Sequence, residues 1–265
     1  MMFAFFLGHD PKKFVQGFVI LLSLVPWAAK AQEPLSITAF DLPPYISSQA
    51  EGGGPVLDVL DRILRRLNIA YSIDFLPNNR AVRSVMEGSH DMIALVPMVG
   101  PHAVDLDFTD VLVVSKNYVF FRADGPVYSG NLKQLAAKRV GGLQAWRHDR
   151  DFQEFAAANN VTLLESRSPL TIVKLLQLQR VDAAIMPEDV GRWAAVAGPG
   201  EFRAIARSQH YMDISHLAMG MNWDSPFAEY LWDINAEIDN LKRSGELRLI
   251  LETGMAQFLA AQSDD

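Results

Sequence analysis

A chain of 265 residues, 49% hydrophobic and 21% charged, is long enough for two α/β lobes with separate cores and too apolar to be disordered. Its formal charge is −7; because residues 1–31 hold three lysines against one aspartate, the remainder carries −9. That balance argues against a nucleic acid or an anionic membrane surface as partner, and the absence of cysteine excludes disulfides, thiol catalysis and a lipid-bearing thiol.

At the N-terminus, Lys12 and Lys13 precede an apolar run from Phe14 to Trp27, and Ala29-Lys30-Ala31 places small residues at signal-peptidase spacing. The run is shorter than the roughly 20 residues that span a bilayer. A signal peptide over residues 1–31 is expected, with a soluble periplasmic chain beginning at Gln32.

Leu35 to Phe40 reads as a first strand, and the paired prolines of Leu42-Pro43-Pro44-Tyr45 end it. Gly52-Gly53-Gly54 forms a turn before Pro55 opens a helix whose stripe is Leu57, Leu60, Leu64 and Leu67. Tyr71 to Phe75 is a second strand. A short helix follows, with Arg80 near its start, Val82, Val85 and Met86 at helical spacing, and Gly88 closing it. Met92 to Val96 is an apolar run bounded by Pro97, as expected of a strand buried on both faces of a parallel sheet. Ligands of open α/β sheets sit beyond the carboxyl ends of such strands, which directs attention to the turn Pro97-Met98 through His102 and to Arg80.

The apolar segment Val111 to Phe121 breaks at Asp124-Gly125-Pro126. After a short helix at Leu132 to Ala137 come a strand, Arg139 to Leu143, then Gln144-Ala145-Trp146 and a helix containing Phe152, Phe155 and Ala156. Val161 to Leu164 is the next strand, and Ser168-Pro169 starts a helix with Ser as N-cap and Pro at the first position. The segment Arg180 to Pro187 then repeats the order of Ser89 to Pro97: aspartate, apolar strand, proline. Two lobes of similar α/β units follow, with strand ends facing one another across a cleft. A strand at Leu217 to Met221 and helices at Pro226 to Arg243 and Glu246 to Leu259 close the chain and are expected to return to the first lobe.

This order resembles bacterial extracellular solute-binding proteins of family 3, periplasmic receptors with the type II periplasmic-binding fold. The resemblance rests on Pro44-Tyr45, Gly54 to Asp58, Gly88 with Asp91, Phe108-Thr109-Asp110, Val140-Gly141 with Gln144, and Val181-Asp182-Ala183. Leu76-Pro77-Asn78-Asn79-Arg80-Ala81 also resembles a branch of that superfamily with Pro-Trp-x-Arg, Asn78 replacing the tryptophan. It implies crossings between lobes near Phe121-Arg122 and His216-Leu217, hence a first lobe of residues 32–121 and 217–265 and a second of 122–216. It also implies hinge closure on a small polar solute, amino-acid-like or anionic, and an ABC permease or a membrane sensor as partner to a monomeric receptor.

Two departures bear on the ligand. The family's Thr-x-x-Arg, whose arginine holds an α-carboxylate bidentately, is replaced by Gly100-Pro101-His102-Ala103. Pro187 stands where an acid often receives the α-ammonium, with Glu188 one residue later. Arg80 is therefore the expected substitute anion anchor, since a cation at a helix start is unfavourable without an anionic partner. Tyr45 and Trp146 are expected as cleft walls, Gln144 as a polar contact, and His102 and Glu188 as further contacts. No HExxH pair, Gly-x-Ser-x-Gly elbow or P-loop is present, so neither cofactor, metal nor catalytic residue is expected. The same fold also resembles cyclohexadienyl dehydratases, in which Glu188 or His102 would be the general acid.

Overall fold

The computed structural model describes residues 33–99, 101–144 and 150–261. The expected signal peptide lies outside them, and no helix among the described residues is long and apolar enough to cross a membrane. The described residues from Pro34 onward form one compact unit.

The first lobe opens with β1 (Leu35–Ala39), α1 (Pro55–Arg66), β2 (Tyr71–Phe75), α2 (Asn78–Met86) and β3 (Met92–Pro97). β1 lies parallel between β2 and β3, the arrangement that crossover helices impose. In α1, Val56, Leu60, Ile63 and Leu64 are inaccessible to solvent while Arg62, Arg65 and Arg66 face out, so periodicity alone locates its buried side. After β4 (Leu106–Phe108) and β5 (Val113–Arg122), the second lobe repeats the plan: β6 (Arg139–Leu143), α3 (Arg150–Ala158), β7 (Thr162–Ser166), α4 (Pro169–Gln177) and β8 (Ala183–Pro187). β6 lies parallel between β7 and β8. The chain ends with α5 (Glu188–Ala197), β9 (Ile205–Arg207), β10 (Asp213–Asn222), α6 (Leu231–Ser244) and α7 (Glu246–Ala261).

One ten-stranded sheet joins everything, in the order β2-β1-β3-β10-β5-β8-β6-β7, with β4 added to β10 and β9 to β5. The repeated aspartate has a structural task. Asp91 accepts hydrogen bonds from Ser36 N (2.9 Å), Ser36 Oγ (2.6 Å) and Ser225 Oγ (2.7 Å). Asp182 accepts from Arg139 N (2.9 Å) and pairs with its guanidinium (2.7 Å). Each carboxylate thus fastens the first residues of the neighbouring parallel strand, and the Arg139 hydrogen bond holds the Asp182 carboxyl below its usual pKa.

The crossings occur on β5 and β10. β10 passes from pairing β5 to pairing β3 at Leu217, which is opposite both Val113 and Pro97. β5 hands over from β10 to β8 at Asn117, so Asn117–Arg122 pairs with second-lobe strands. The change of partner falls at the polar triplet Ser115-Lys116-Asn117 within an otherwise apolar run, ahead of the Phe121-Arg122 expected from the sequence, and the break at Asp124-Gly125-Pro126 follows the strand's end. Helix α5 is also missing from the sequence reading. α7 packs on α1 and α6 and also touches α5.

Removing a latch should cost stability. Asp91→Ala strands three donors and is expected to lower unfolding free energy by about 2–4 kcal/mol, read as a lower urea midpoint at unchanged slope. For Asp182 the folded pKa is depressed, so its contribution is present above the unfolded value of about 3.9 and is lost as pH falls through the folded value. The stability gap between wild type and Asp182→Asn, measured by urea titration at several pH values, is expected to close below about pH 4.

Candidate functional site

The carboxyl ends of four parallel strands face a shared cavity of about 430 Å³. From the first lobe come Phe40, Asp41, Leu42 and Ser48 after β1, and Phe75, Leu76, Pro77 and Asn78 between β2 and α2. The second lobe supplies Leu143 and Gln144 after β6, and Arg167 and Ser168 between β7 and α4. A larger cavity, about 730 Å³, adjoins it through the shared residues Asp41, Ser48, Arg167 and Ser168 and runs between Pro55, Trp193 and Phe258. The smaller one is the better candidate site despite its size, because strand ends converge there whereas the larger is mainly a crevice beside helices α1, α5 and α7.

Local chemistry sets the charges in this cavity. Asp41 is turned along its own loop, accepting from Ser48 N (2.7 Å) and Ser48 Oγ (3.1 Å). Arg167 Nε donates to Gln144 Oε1 at 3.2 Å, and no carboxylate among the described residues pairs with the guanidinium. Ser168 caps α4, its Oγ accepting from Thr171 N, so the positive end of that helix lies beside Arg167. The result is a cationic second-lobe wall opposite a first-lobe wall rich in apolar groups.

The structure distributes the residues expected from the sequence unevenly. Gln144 lines the cavity and orients Arg167. Arg80 is exposed on α2 and does not line the cavity, although Asn78, two residues earlier, does. Glu188 opens α5 and pairs with Arg207 Nε at 3.1 Å, whose guanidinium carbon lies 4.2 Å from the Tyr118 ring centroid. That carboxylate is already engaged, which counts against both an ammonium contact and a general acid. Pro97 is buried opposite Leu217, and the backbone N–H of half-buried Met98 donates to His216 O at 2.9 Å. Trp146 and the side chain of His102 lie outside the described residues.

Tyr45 differs most from expectation. Its side chain is 0% exposed, so it presents no face to a ligand here. The loop is drawn in by α1: Val56 N donates to Tyr45 O at 3.2 Å, and a Cβ at Gly54, where φ is +101°, would come within 2.9 Å of that same oxygen. The phenol then donates to Asp189 Oδ2 at 3.0 Å, tying the first-lobe loop to α5 of the second lobe. Burial, reinforced by the Asp189 charge, pushes the phenol far above the ordinary tyrosine range. Sequence reasoning missed Asp41, Arg167 and Asp189. Arg167 had a usable signal, since it directly precedes the Ser168-Pro169 helix start at the exit of a strand.

Tyr45→Phe is expected to cost about 1–2 kcal/mol by leaving Asp189 without its donor. The folded state holds the phenolic proton more tightly than the unfolded chain, so this stabilisation is complete below the unfolded pKa of about 10 and declines as pH rises above it. Chemical denaturation between pH 8 and 11 should show wild type losing stability more steeply than Tyr45→Phe.

No family model matches the chain, and no curated protein matches it. Solved structures do. The amino-acid ABC transporter substrate-binding protein AbpA from Streptococcus pneumoniae, bound to L-arginine, superposes with a TM-score of 0.70 at 19% identity, over 85% of this chain and 96% of that one. The GluR0 ligand-binding core from Nostoc punctiforme, in complex with L-glutamate, gives 0.68 at 16% identity over 83% and 99%. A histidine kinase sensor domain with similarity to periplasmic binding proteins gives 0.70 at 15% over 84% and 96%. At such identities the likeness concerns architecture, and the chain has the two-lobed periplasmic-binding-protein fold shared by amino-acid substrate-binding proteins and GluR0 ligand-binding cores.

Proposed function

We propose that this protein is an exported, non-enzymatic receptor that traps a small polar solute, amino-acid-like or anionic, between its lobes by hinge closure and delivers it to an ABC-type uptake system. The observation that carries this reading is the strand-end cavity, walled by both lobes, in which Arg167 is a cation without a carboxylate partner among the described residues. A solute touching both walls gains contacts only when the lobes approach, so binding favours closure. Arg167, rather than Arg80, is the anion anchor in this reading, and Gln144 its orienting neighbour. Neighbours described as substrate-binding proteins of amino-acid transporters support the solute class. Cleavage after Ala31 and a periplasmic location belong to the same proposal. A sensing role would use the same cavity, and the kinase sensor domain among the neighbours is its support.

Titration calorimetry of the purified chain against amino acids and small carboxylates is expected to yield at least one ligand, with Arg167→Ala weakening it about tenfold or more, as loss of a charge-assisted hydrogen bond implies. Absence of binding across the panel would overturn the receptor reading, and equal affinity in the variant would overturn the anchor.

A further inference from the structure

We propose that the ligand is a monocarboxylate with an apolar body, its carboxylate received by the second lobe and its body resting on the first. This deepens the receptor reading above and rests on it. The two walls differ in chemistry. On the second lobe, Arg167 uses Nε for Gln144 Oε1 at 3.2 Å, which fixes the guanidinium plane and leaves the terminal Nη donors for an anion. The Gln144 amide can donate to the same group, and the N-terminal end of α4 adds favourable potential beside it.

The first lobe supplies Phe40, Leu42, Phe75, Leu76 and Pro77. Phe75, the last residue of β2, is 38% exposed while lining the cavity, so its ring offers a surface on which an aliphatic or aromatic body would be desolvated. Among the described residues the only charge on this wall is Asp41, and two hydrogen bonds from Ser48 hold it to its own loop. A body bearing a second carboxylate would meet Asp41 without a compensating cation. A strongly cationic body would displace apolar contact while finding a carboxylate already committed to Ser48. An α-ammonium near Asp41 is compatible with this arrangement but is not demanded by it, so apolar amino acids and amine-free apolar carboxylates share the required chemistry. The cavity, at about 430 Å³, lies within the roughly 300–1,000 Å³ of small-molecule clefts.

The test is calorimetry on wild type, Phe75→Ser, Phe75→Tyr and Arg167→Gln, each first verified as folded by its thermal melt. The ligands are leucine and phenylalanine, their amine-free counterparts 4-methylpentanoate and 3-phenylpropanoate, and glutamate, arginine and glycine. The apolar carboxylates are expected to bind wild type at least tenfold more tightly than glutamate, arginine or glycine. Phe75→Ser should weaken them about tenfold with Phe75→Tyr restoring most of the loss, and Arg167→Gln should weaken every carboxylate. Comparing each amino acid with its amine-free counterpart separates the two sources. Tighter binding of glutamate or arginine, or an unchanged affinity in Phe75→Ser, would overturn this inference and leave the receptor reading standing. Failure of wild type to bind any member of this panel, glutamate and arginine included, would overturn both.

Discussion

Strands β5 and β10 run antiparallel from Val113 opposite Leu217 to Asn117 opposite Asp213, and through them every other strand becomes part of one sheet. Their pairing constrains the molecule in two ways. The lobes cannot separate without breaking a continuous ladder, and in the proposed receptor this stretch, shared by few other strands, is where they would bend. A cleft that closes on a solute needs that combination: a joint that holds and a joint that yields. Buried Asn117 sits at the handover, donating to Ser215 Oγ at 2.9 Å and to Asp213, so a polar network occupies the strand crossing where an apolar packing would be expected.

Around that joint, the same small device appears in both lobes. An aspartate preceding an apolar strand fastens the start of the neighbouring parallel strand, Asp91 to Ser36 and Asp182 to Arg139. Fixing strand starts also fixes strand ends, because β1 and β6 are only five residues long. The residues just past those ends, Asp41 and Gln144, therefore reach the cavity in defined positions, with Arg167 presented by the loop after β7. Function in this reading comes from loops, and the precision of the loops comes from carboxylates far from the cleft.

A second set of contacts spans the lobes away from the cavity. Tyr45 reaches Asp189, and Trp193 on α5 lies 6.4 Å, ring centre to ring centre, from Phe258 on α7. These contacts join the first-lobe loop and the terminal helix to one second-lobe helix. Any opening of the lobes must therefore work against a buried phenol hydrogen bond and an aromatic contact as well as the sheet.

Much of the architecture was legible in the residues themselves. The leucine stripe of α1, the Ser168-Pro169 start of α4, the apolar runs of β3 and β8 and the recurrence of aspartate, strand and proline all follow from local periodicity and turn chemistry, which depend on neighbours a few positions away. The role of Tyr45 was not legible, because an aromatic after a proline loop can face a cleft or a core, and the choice was made by α1 pulling the loop inward and by Asp189, 144 positions distant in the chain. Likewise Arg80 and Arg167 both stand at helix starts after strands. Only the tertiary packing leaves one on an outer face and directs the other to the cavity beside Gln144. Sequence by itself determined most of the elements and their order, α5 and β9 excepted, since these rest on short-range hydrogen bonding and apolar spacing; the structure decided which side chains meet, because that depends on how two lobes far apart in the chain come to share one sheet.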